Sequence, residues 1–368
     1  MFEGKILTTK DKPDWLKLLE SPHCQDPHYM PEYLQIYEDM DQGEPQKQFG
    51  GEGLLFVYGD GDNYILYPFI KKPILESKEL GSELLYDIAA PYGYGGPLAC
   101  IRNSQLKDKL WSDFYRSFHQ FCQENSIVAE FARLNPIFEN HVEVIIHSDG
   151  VVHKRGKIVY FDLTIPEEAI MKNMSKSRRQ NIKSSLDSKK YEFGSSLEPN
   201  YADIFYKLYD ITMKRIEAEA KYLFSERFFQ NLFSNLGCCC VFHYVKYEDA
   251  ICSAAINLAY EKTAYLYLQA SNITSSSSYA NVFLVYNSLI MFKALGFRAF
   301  VLGGGVSASE DSLFQYKYLF SPLTKESYIY NRIHIKGAYE RLVGLRKARG
   351  EELSPDYFPQ YRSPVLSK

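Results

Sequence analysis

The chain has 368 residues, which exceeds the usual size of one hydrophobic core, so we expect two domains of ordinary size. With 46% hydrophobic and 24% charged residues, the composition is typical of a globular protein and excludes a largely disordered chain. The formal net charge of −3 excludes a global positive field for holding nucleic acid or an anionic membrane. DNA is therefore not an expected partner, and any phosphate contact must be local.

The sequence also predicts where the protein resides and which metal chemistry it lacks. The N-terminus has neither the basic nor the apolar region of a signal peptide, and no apolar run approaches the length of a bilayer span. We therefore expect a cytoplasmic protein without a transmembrane segment. Seven cysteines without CxxC spacing support neither a disulfide framework nor a zinc site, so no metal is expected.

The first half of the chain predicts helices, then a hairpin, then a helix between two extended segments. The turn at 59–63 is rich in Gly and Asp, which tolerate the positive φ angles of tight hairpins. A stripe of Leu and Phe runs along the later helix. In chain order, the predicted elements are helices at 14–20 and 31–39, a hairpin at 53–72, an extended segment at 84–88, a helix at 104–125 and a strand at 127–134.

The loop at 90–98, which follows Asp87, is the clearest irregular segment of the first half. Its three glycines and two prolines forbid regular structure but fix a particular path, from which Tyr92 and Tyr94 project. Such loops either close a binding site or brace a domain interface. We favour substrate binding, by Asp87 and the two tyrosines.

The second half repeats this order of elements, so the sequence predicts a duplicated α/β unit. A strand at 156–165 separates the halves, and we expect domains at 1–165 and 166–345, followed by a tail at 346–368 without an assigned role. The predicted elements are helices at 201–219 and 225–236, strands at 240–247, 251–260 and 263–270, a helix at 281–295 and a strand at 297–302.

The segment 172–190 is strongly basic. A charge run of this kind is usually the solvated face of a helix. Several donors suited to phosphate nevertheless fall within about two turns, including Arg178 and Arg179. The alternative is therefore a local grip on a pyrophosphate, a nucleotide or a tRNA end.

Three glycines, Gly303, Gly304 and Gly305, follow an apolar strand and mark a place where backbone approaches a ligand or another chain closely. Lys317 follows within an aromatic run that can hold its stem while the ammonium reaches a cleft. Such an ammonium can stabilise developing negative charge. An ordinary turn with a solvated lysine is an equally good interpretation of the spacing.

The loop at 271–278 precedes a helix and is rich in serine. Free N–H groups at a helix N-terminus favour anions, so Ser275, Ser276 and Ser277, with Gly304 and Gly305, are candidates for binding the pyrophosphate of a coenzyme. A flexible surface linker fits the same composition.

Four segments together resemble, in order, the Fem-type acyltransferases of the GNAT superfamily. The resemblance implies an α/β (α+β) fold of two tandem GNAT-like domains, each with a mixed, mostly antiparallel sheet flanked by helices. It also implies transfer of an acyl or aminoacyl group to an amine of a peptidoglycan or polysaccharide precursor, with a nucleotide-sugar or muropeptide acceptor on the first domain. The segments are 86–97, 131–136, 175–183 and the glycine-to-lysine element at 302–320.

Carried over by position, the resemblance makes Lys317 the group that stabilises the oxyanion and Arg179 a ligand of acceptor phosphates. The chain lacks the long helical hairpin of some tRNA-dependent members, and the 271–278 loop lacks the RxxGxG/A pattern of coenzyme A enzymes. The donor is therefore left open between acyl-CoA and aminoacyl-tRNA, with no permanently bound cofactor.

We expect direct attack by the amine without a covalent enzyme intermediate, because no GxSxG or Cys-His pattern supplies a nucleophile. Asp311 and Tyr316 are the candidate proton acceptors. Two other classes compete with this interpretation: a non-catalytic module that binds a nucleotide-sugar, and, with less support, an RNA-binding factor that uses the basic segment.

Overall fold

The structure is a computed structural model that describes residues 3–40, 50–81, 84–274, 277–306 and 309–365. Thirteen strands of these residues form one mixed sheet, and helices pack against it. The strands are β1 (Glu3–Thr8), β2 (Glu52–Gly59), β3 (Asn63–Ile74), β4 (Leu85–Ala89), β5 (Leu98–Ile101), β6 (Ile127–Arg133), β7 (Val151–Asp162), β8 (Tyr191–Ser196), β9 (Cys240–Tyr247), β10 (Ala250–Tyr260), β11 (Thr263–Ser271), β12 (Ala299–Gly303) and β13 (Thr324–Ile333). The helices are α1 (Lys12–Leu18), α2 (Pro31–Glu38), α3 (Lys107–Glu124), α4 (His141–His147), α5 (Glu167–Asn173), α6 (Lys176–Asp187), α7 (Tyr201–Arg215), α8 (Glu226–Leu236), α9 (Ala280–Ala294), α10 (Ser312–Tyr318) and α11 (Lys336–Ala348).

The two halves share one order of elements, as the sequence predicts. In the first half, the antiparallel pair β2–β3 leads to β4, and α3 then connects to β6, which is parallel to β4. In the second half, the antiparallel run β9–β10–β11 leads to α9, and β12 follows parallel to β11. Each helix lies between its parallel strands in the chain because a parallel pair needs a long crossover. The fold is therefore a mixed α/β architecture of two halves with the same order of elements.

Strands β7 and β13 join the halves at the centre of the sheet. The sheet order is β1-β2-β3-β4-β6-β13-β7-β12-β11-β10-β9-β8, with β5 beside β3. β7 comes before residue 165 in the chain but pairs with β12 of the second half, while β13 comes late in the chain but pairs with β6 of the first. Each half thus contributes a strand to the sheet of the other, and the backbone hydrogen bonds continue across the predicted boundary at 165.

The last helix and the residues after it pack on the first half. Leu342 of α11 and Tyr361 are buried in a cluster with Ile74, Leu85 and Ala129. The segment predicted to be a tail without a role is therefore part of the hydrophobic core beside β4 and β6. No helix among the described residues is both long enough and apolar enough to cross a membrane.

The parallel pairs separate at their carboxyl ends, which opens the sheet at two points. The β11–β12 pairing ends at Tyr265 and Val301, and the β4–β6 pairing ends at Ala89 and Phe131. The 90–98 loop and the glycine turn at 303–305 leave the sheet at these points. In open α/β sheets, ligands bind where the carboxyl ends of neighbouring strands diverge.

Candidate active site

One large cleft of about 1130 Å³ lies along these divergent strand ends. Its wall includes the 90–98 loop of the first half and the glycine turn and Lys317 of the second half. A cleft lined by both halves has room for two substrates, one on each side of Lys317.

Helix α10 places Lys317 on the wall of this cleft, beside the glycine turn. The helix begins at Asp311, whose side chain accepts a hydrogen bond from the Phe314 amide, as an N-cap residue does. Lys317 lies in the last turn, and its Nζ donates to the Gly304 carbonyl oxygen at 2.7 Å. Burial lowers the pKa of Lys317 from 10.5 to about 8, although Asp311 raises it. The ammonium is therefore held in place and partly desolvated.

The glycine turn allows this close approach. Gly303 has a φ of +78°, and a Cβ added there would lie 3.5 Å from Lys317 Nζ and 3.9 Å from the Tyr94 hydroxyl. A Cβ at Gly305 would lie only 2.2 Å from Asp311 Oδ1. The turn thus keeps side chains out of the space between Lys317 and Tyr94, and both Gly304 and Gly305 line the cleft.

The two candidate proton acceptors lie close to Lys317 but are occupied or protonated. Asp311 accepts from the Phe314 amide at 2.9 Å and from the Val306 amide at 2.8 Å. Burial raises the pKa of Asp311, but these backbone hydrogen bonds outweigh it and the net pKa is lowered. Burial raises the pKa of Tyr316 to about 12, against the opposing charge of Arg178. Near neutral pH, Asp311 is therefore a helix cap and Tyr316 a neutral phenol.

The predicted acceptor residues of the first half do line the cleft. The Tyr92 ring lies 5.6 Å from that of Tyr267, and the Tyr94 ring lies 5.8 Å from that of Tyr265, so both tyrosines contact strand β11 of the second half. The 90–98 loop therefore both lines the site and braces the interface between the halves, which combines the two alternatives for this loop.

Asp87 also lines the cleft, within a cluster of charges. It is 2% exposed and forms an ion pair with Arg362, while Lys72 Nζ lies 3.9 Å away. Burial lowers the pKa of Lys72 to about 8, although Asp87 raises it. The Asp87 carboxylate is therefore engaged by protein cations, and the ligand-facing charge at this end of the cleft is positive.

The structure does not bring the basic segment into the cleft. Arg178 is buried, donates to the Tyr316 carbonyl oxygen at 3.0 Å, and lies 3.9 Å from the Phe320 ring centroid. Arg179 donates to the Lys172 carbonyl oxygen at 3.0 Å and lines a separate shallow depression with Glu167 and Glu168. Arg178 thus braces α10 through Tyr316 and Phe320, and neither arginine lines the cleft that contains Lys317.

The predicted serine loop is only partly within the described residues. Ser275 and Ser276 lie outside them. Ser277 is buried, and its Oγ accepts from the Thr274 amide at 2.9 Å, so this hydroxyl stabilises a local turn. On this side of the cleft the lining polar groups include Arg215, Ser271 and Asn281.

Sequence reasoning missed two parts of the cleft wall. One is the C-terminal segment, from which Tyr357, Phe358 and Arg362 line the first-half end. The other is His28, which pairs with buried Asp26 at 2.7 Å. The spacing Asp-x-His was the available signal for this pair, since a carboxylate two residues before a histidine is within reach of it in a tight turn.

Comparisons with known proteins agree with this architecture. Residues 172–318 match the family model described as an acetyltransferase (GNAT) domain. The crystal structure of FemX is similar with a TM-score of 0.65 at 11% identity, over 92% of this chain and 99% of that chain. The C-terminal domain of a putative lysylphosphatidylglycerol synthetase from Agrobacterium fabrum is similar with a TM-score of 0.53 at 12% identity, over 92% and 96% of the two chains. L-PGS from Bacillus licheniformis is similar with a TM-score of 0.51 at 15% identity, over 82% and 91%.

No curated protein matches the chain significantly in sequence. The family model includes both the glycine turn and all of α10, and the FemX likeness extends over both halves. Residues 172–318 thus match a GNAT domain model, and the fold of the chain is similar to that of FemX.

Proposed function

We propose that the protein is a cytoplasmic N-acyltransferase that moves an acyl or aminoacyl group to an amine of a cell-envelope precursor by direct attack. The observation that carries this proposal is the Lys317 ammonium, held by the Gly304 carbonyl oxygen at 2.7 Å on the wall of a cleft lined by both halves. A fixed, partly desolvated cation at such a place stabilises the negative charge that develops on a carbonyl oxygen during acyl transfer.

Acyl transfer to an amine involves three bond changes. The amine nitrogen attacks the acyl carbon, the carbonyl electron pair moves to oxygen, and the thiol or ribose hydroxyl of the donor leaves. Lys317 uses one N–H on Gly304, so its remaining N–H groups are available for the oxyanion. The cleft holds both reactants so that attack becomes effectively intramolecular.

Charge indicates how the two substrates are distributed. Lys72, Arg133 and Arg362 line the first-half end of the cleft, which suits an acceptor with phosphate or carboxylate groups. Arg215 and Asn281 line the second-half side, where the donor would bind. The donor is acyl-CoA or aminoacyl-tRNA, and the acceptor is a nucleotide-linked amino sugar or a muropeptide. The fold shared with a putative lysylphosphatidylglycerol synthetase, which is named for a phospholipid product, supports an acceptor from the cell envelope.

Native mass spectrometry and thermal shift against acetyl-CoA, longer acyl-CoAs, charged tRNA and UDP-linked amino sugars would test the proposal. Each stabilising pair is then incubated with the protein, and the acylated amine is measured by mass spectrometry. A product that depends on Lys317 supports the proposal. Binding of a nucleotide-sugar with no product from any donor would instead favour the non-catalytic module.

A further inference from the structure

The proposed acyl transfer requires a group that takes a proton from the attacking amine. Neither residue beside Lys317 serves this purpose well, because Asp311 caps α10 through two backbone amides and the Tyr316 phenol holds its proton near neutral pH. A proton acceptor must therefore be sought elsewhere along the cleft wall.

The wall contains a histidine that a carboxylate holds in one orientation. His28 Nδ1 lies 2.7 Å from Asp26 Oδ1, and the His28 amide donates to the same oxygen at 2.9 Å. The other carboxylate oxygen of Asp26 accepts from the Tyr265 hydroxyl and from Asn135 Nδ2, the latter at 3.0 Å. A carboxylate can only accept a hydrogen bond, so the neutral imidazole carries its proton on Nδ1, where it donates to Asp26, and has a lone pair at Nε2.

The Nε2 edge of His28 faces the loop beside Lys317. A Cβ added at Gly93 would lie 2.5 Å from His28 Nε2 and 3.6 Å from the Tyr33 hydroxyl, so the loop needs glycine at this point. Among the described residues, no hydrogen bond engages Nε2. Both His28 and Gly93 line the cleft.

Tyr94 connects this histidine with the Lys317 side of the cleft. The His28 ring centroid lies 5.6 Å from the Tyr94 ring, and the Tyr94 hydroxyl reaches the Gly303 turn where Lys317 Nζ also lies. The ionisable and charged groups around His28 are Asp26 on its own turn, Tyr33 on α2, Tyr94 on the loop, Tyr265 on β11 and Arg133 beyond Tyr94.

We propose that His28, oriented by Asp26, is the proton acceptor for the attacking amine; this inference rests on the proposed acyl transfer. The amine nitrogen forms its bond to the acyl carbon while its N–H proton passes, through a solvent molecule beside Gly93, to His28 Nε2. The resulting imidazolium is stabilised by Asp26. When the tetrahedral intermediate collapses, the donor thiol or hydroxyl leaves with the bonding electrons, and the imidazolium returns its proton to solvent or to that leaving group.

A purely structural role is the competing explanation. Asp26 contacts both His28, in the short turn before α2, and Tyr265 of β11, so it connects these two parts of the chain. The two explanations differ in what Asp26→Asn does. An amide at this position can donate to Nδ1, which moves the neutral imidazole's proton to Nε2 and removes the lone pair, while the volume of the buried side chain is kept.

The first experiment compares His28→Gln and Asp26→Asn with wild type, using the donor and amino-sugar pair identified by the binding panel. We expect kcat to fall by roughly 10²- to 10⁴-fold in His28→Gln with the donor KM unchanged, and added imidazole to restore part of the rate of His28→Ala. His23→Gln is the matched control, because His23 is exposed and close in sequence. A wild-type kcat in folded His28→Gln would overturn the assignment and leave the acyl transfer itself standing, whereas a wild type without product would remove both.

The second experiment needs no substrate, and it tests the lone pair at Nε2 on which the proposal depends. In ¹⁵N-histidine NMR of the full chain at high pH, we expect neutral His28 to carry its proton on Nδ1, with the opposite tautomer in Asp26→Asn. His28→Gln identifies the resonance by its loss, and a folded alternative such as His28→Asn can replace it. A proton on Nε2 in the wild-type protein would overturn the proposal.

Discussion

Replacing Lys317 with methionine is the most direct test of the proposed site. The substitution keeps a flexible stem in the aromatic surroundings of α10 and removes only the ammonium. In the native protein that ammonium is bound to the Gly304 carbonyl oxygen at 2.7 Å in a partly desolvated cleft. We therefore expect a specific loss of catalysis with little loss of fold.

The expected loss of rate follows from the role of a single oxyanion donor. Removing one such donor lowers kcat by roughly 10²- to 10³-fold, which corresponds to about 3 to 4 kcal/mol of transition-state stabilisation. Because the ammonium must be protonated to act and burial lowers the Lys317 pKa to about 8, we also expect wild-type kcat to fall as pH rises through about 8. Lys317→Met should lack this limb in its residual activity.

The free energy of unfolding should rise over the pH range in which kcat falls. The pKa of Lys317 is 10.5 when unfolded and about 8 when folded, so between these values the unfolded chain binds more protons and stability rises with pH. Burying the charged Lys317 ammonium destabilises the folded protein fully below pH 8, and this destabilisation is gone above pH 10.5. It amounts to about 1 to 3 kcal/mol once partial exposure is allowed for. Lys317→Met should therefore be no less stable than wild type at pH 7.

The assay measures initial rates at saturating donor and acceptor from pH 6 to 10, with urea denaturation over the same range. Lys72 also has a lowered pKa in the folded state and contributes the same trend to both proteins, so the difference between wild type and variant isolates Lys317. Lys293→Met is a control for losing a lysine that donates to backbone carbonyls far from the cleft. A folded Lys317→Met with unchanged kcat would refute the role of the ammonium.

Three further substitutions test how the cleft is built. Gly303→Ala should lower the free energy of unfolding by about 1 to 2 kcal/mol, because φ is +78° at this position. It should also reduce kcat several-fold, because the new methyl group lies 3.5 Å from Lys317 Nζ. Urea denaturation and initial rates measure the two effects. Arg178→Met should lower the Tm and kcat without raising the acceptor KM, since Arg178 braces α10; a selective rise in KM would instead restore a substrate-binding role. Arg362→Ala should destabilise the protein by about 2 to 4 kcal/mol in urea, because Asp87 loses its closest cation, and a neutral result would show that Lys72 alone compensates.

Much of the repeated secondary structure could be predicted because it rests on local patterns. The glycine and aspartate turn at 59–63 predicts a hairpin, and the strands predicted at 240–247, 251–260 and 263–270 are successive antiparallel neighbours in the structure. The apolar stripe of α3 and the glycine after α9 likewise fix helix positions. These signals depend on neighbours in the chain, which a sequence displays directly.

The central strands were harder to predict because their partners are distant in sequence. β13 carries the sequence TKESYIYNRI, whose polar residues resemble a surface loop, yet it lies between β6 and β7 in the middle of the sheet. Two of its charged side chains form ion pairs with residues distant in sequence, Glu326 with Lys154 and Arg332 with Asp149. No local sequence pattern indicates that β7 pairs with the second half or that β13 pairs with the first half.

Some features of the site could be predicted from local sequence, whereas others depend on contacts between distant residues. The sequence indicated the glycine turn and Lys317 as separate candidates, and only the structure shows that Lys317 Nζ donates to the Gly304 carbonyl oxygen. Arg178 and Arg179 donate to backbone carbonyl oxygens, and Arg178 also packs on an aromatic ring; charge patterning alone does not distinguish these roles from phosphate binding. Only the folded chain shows which of these a given arginine does.

The exchange of β7 and β13 has a consequence for how the site works. Because the sheet is continuous, the first-half loop that carries Tyr94 and the second-half turn that carries Gly303 are fixed to one hydrogen-bonded frame. Separate domains joined only by a linker would close the cleft by rotation, at a cost in ordering for each turnover. Here the Tyr94 side and the Lys317 side of the cleft are fixed to the same sheet before any ligand binds. Such preorganisation is what a reaction without a covalent intermediate requires, since both reactants must meet in one step.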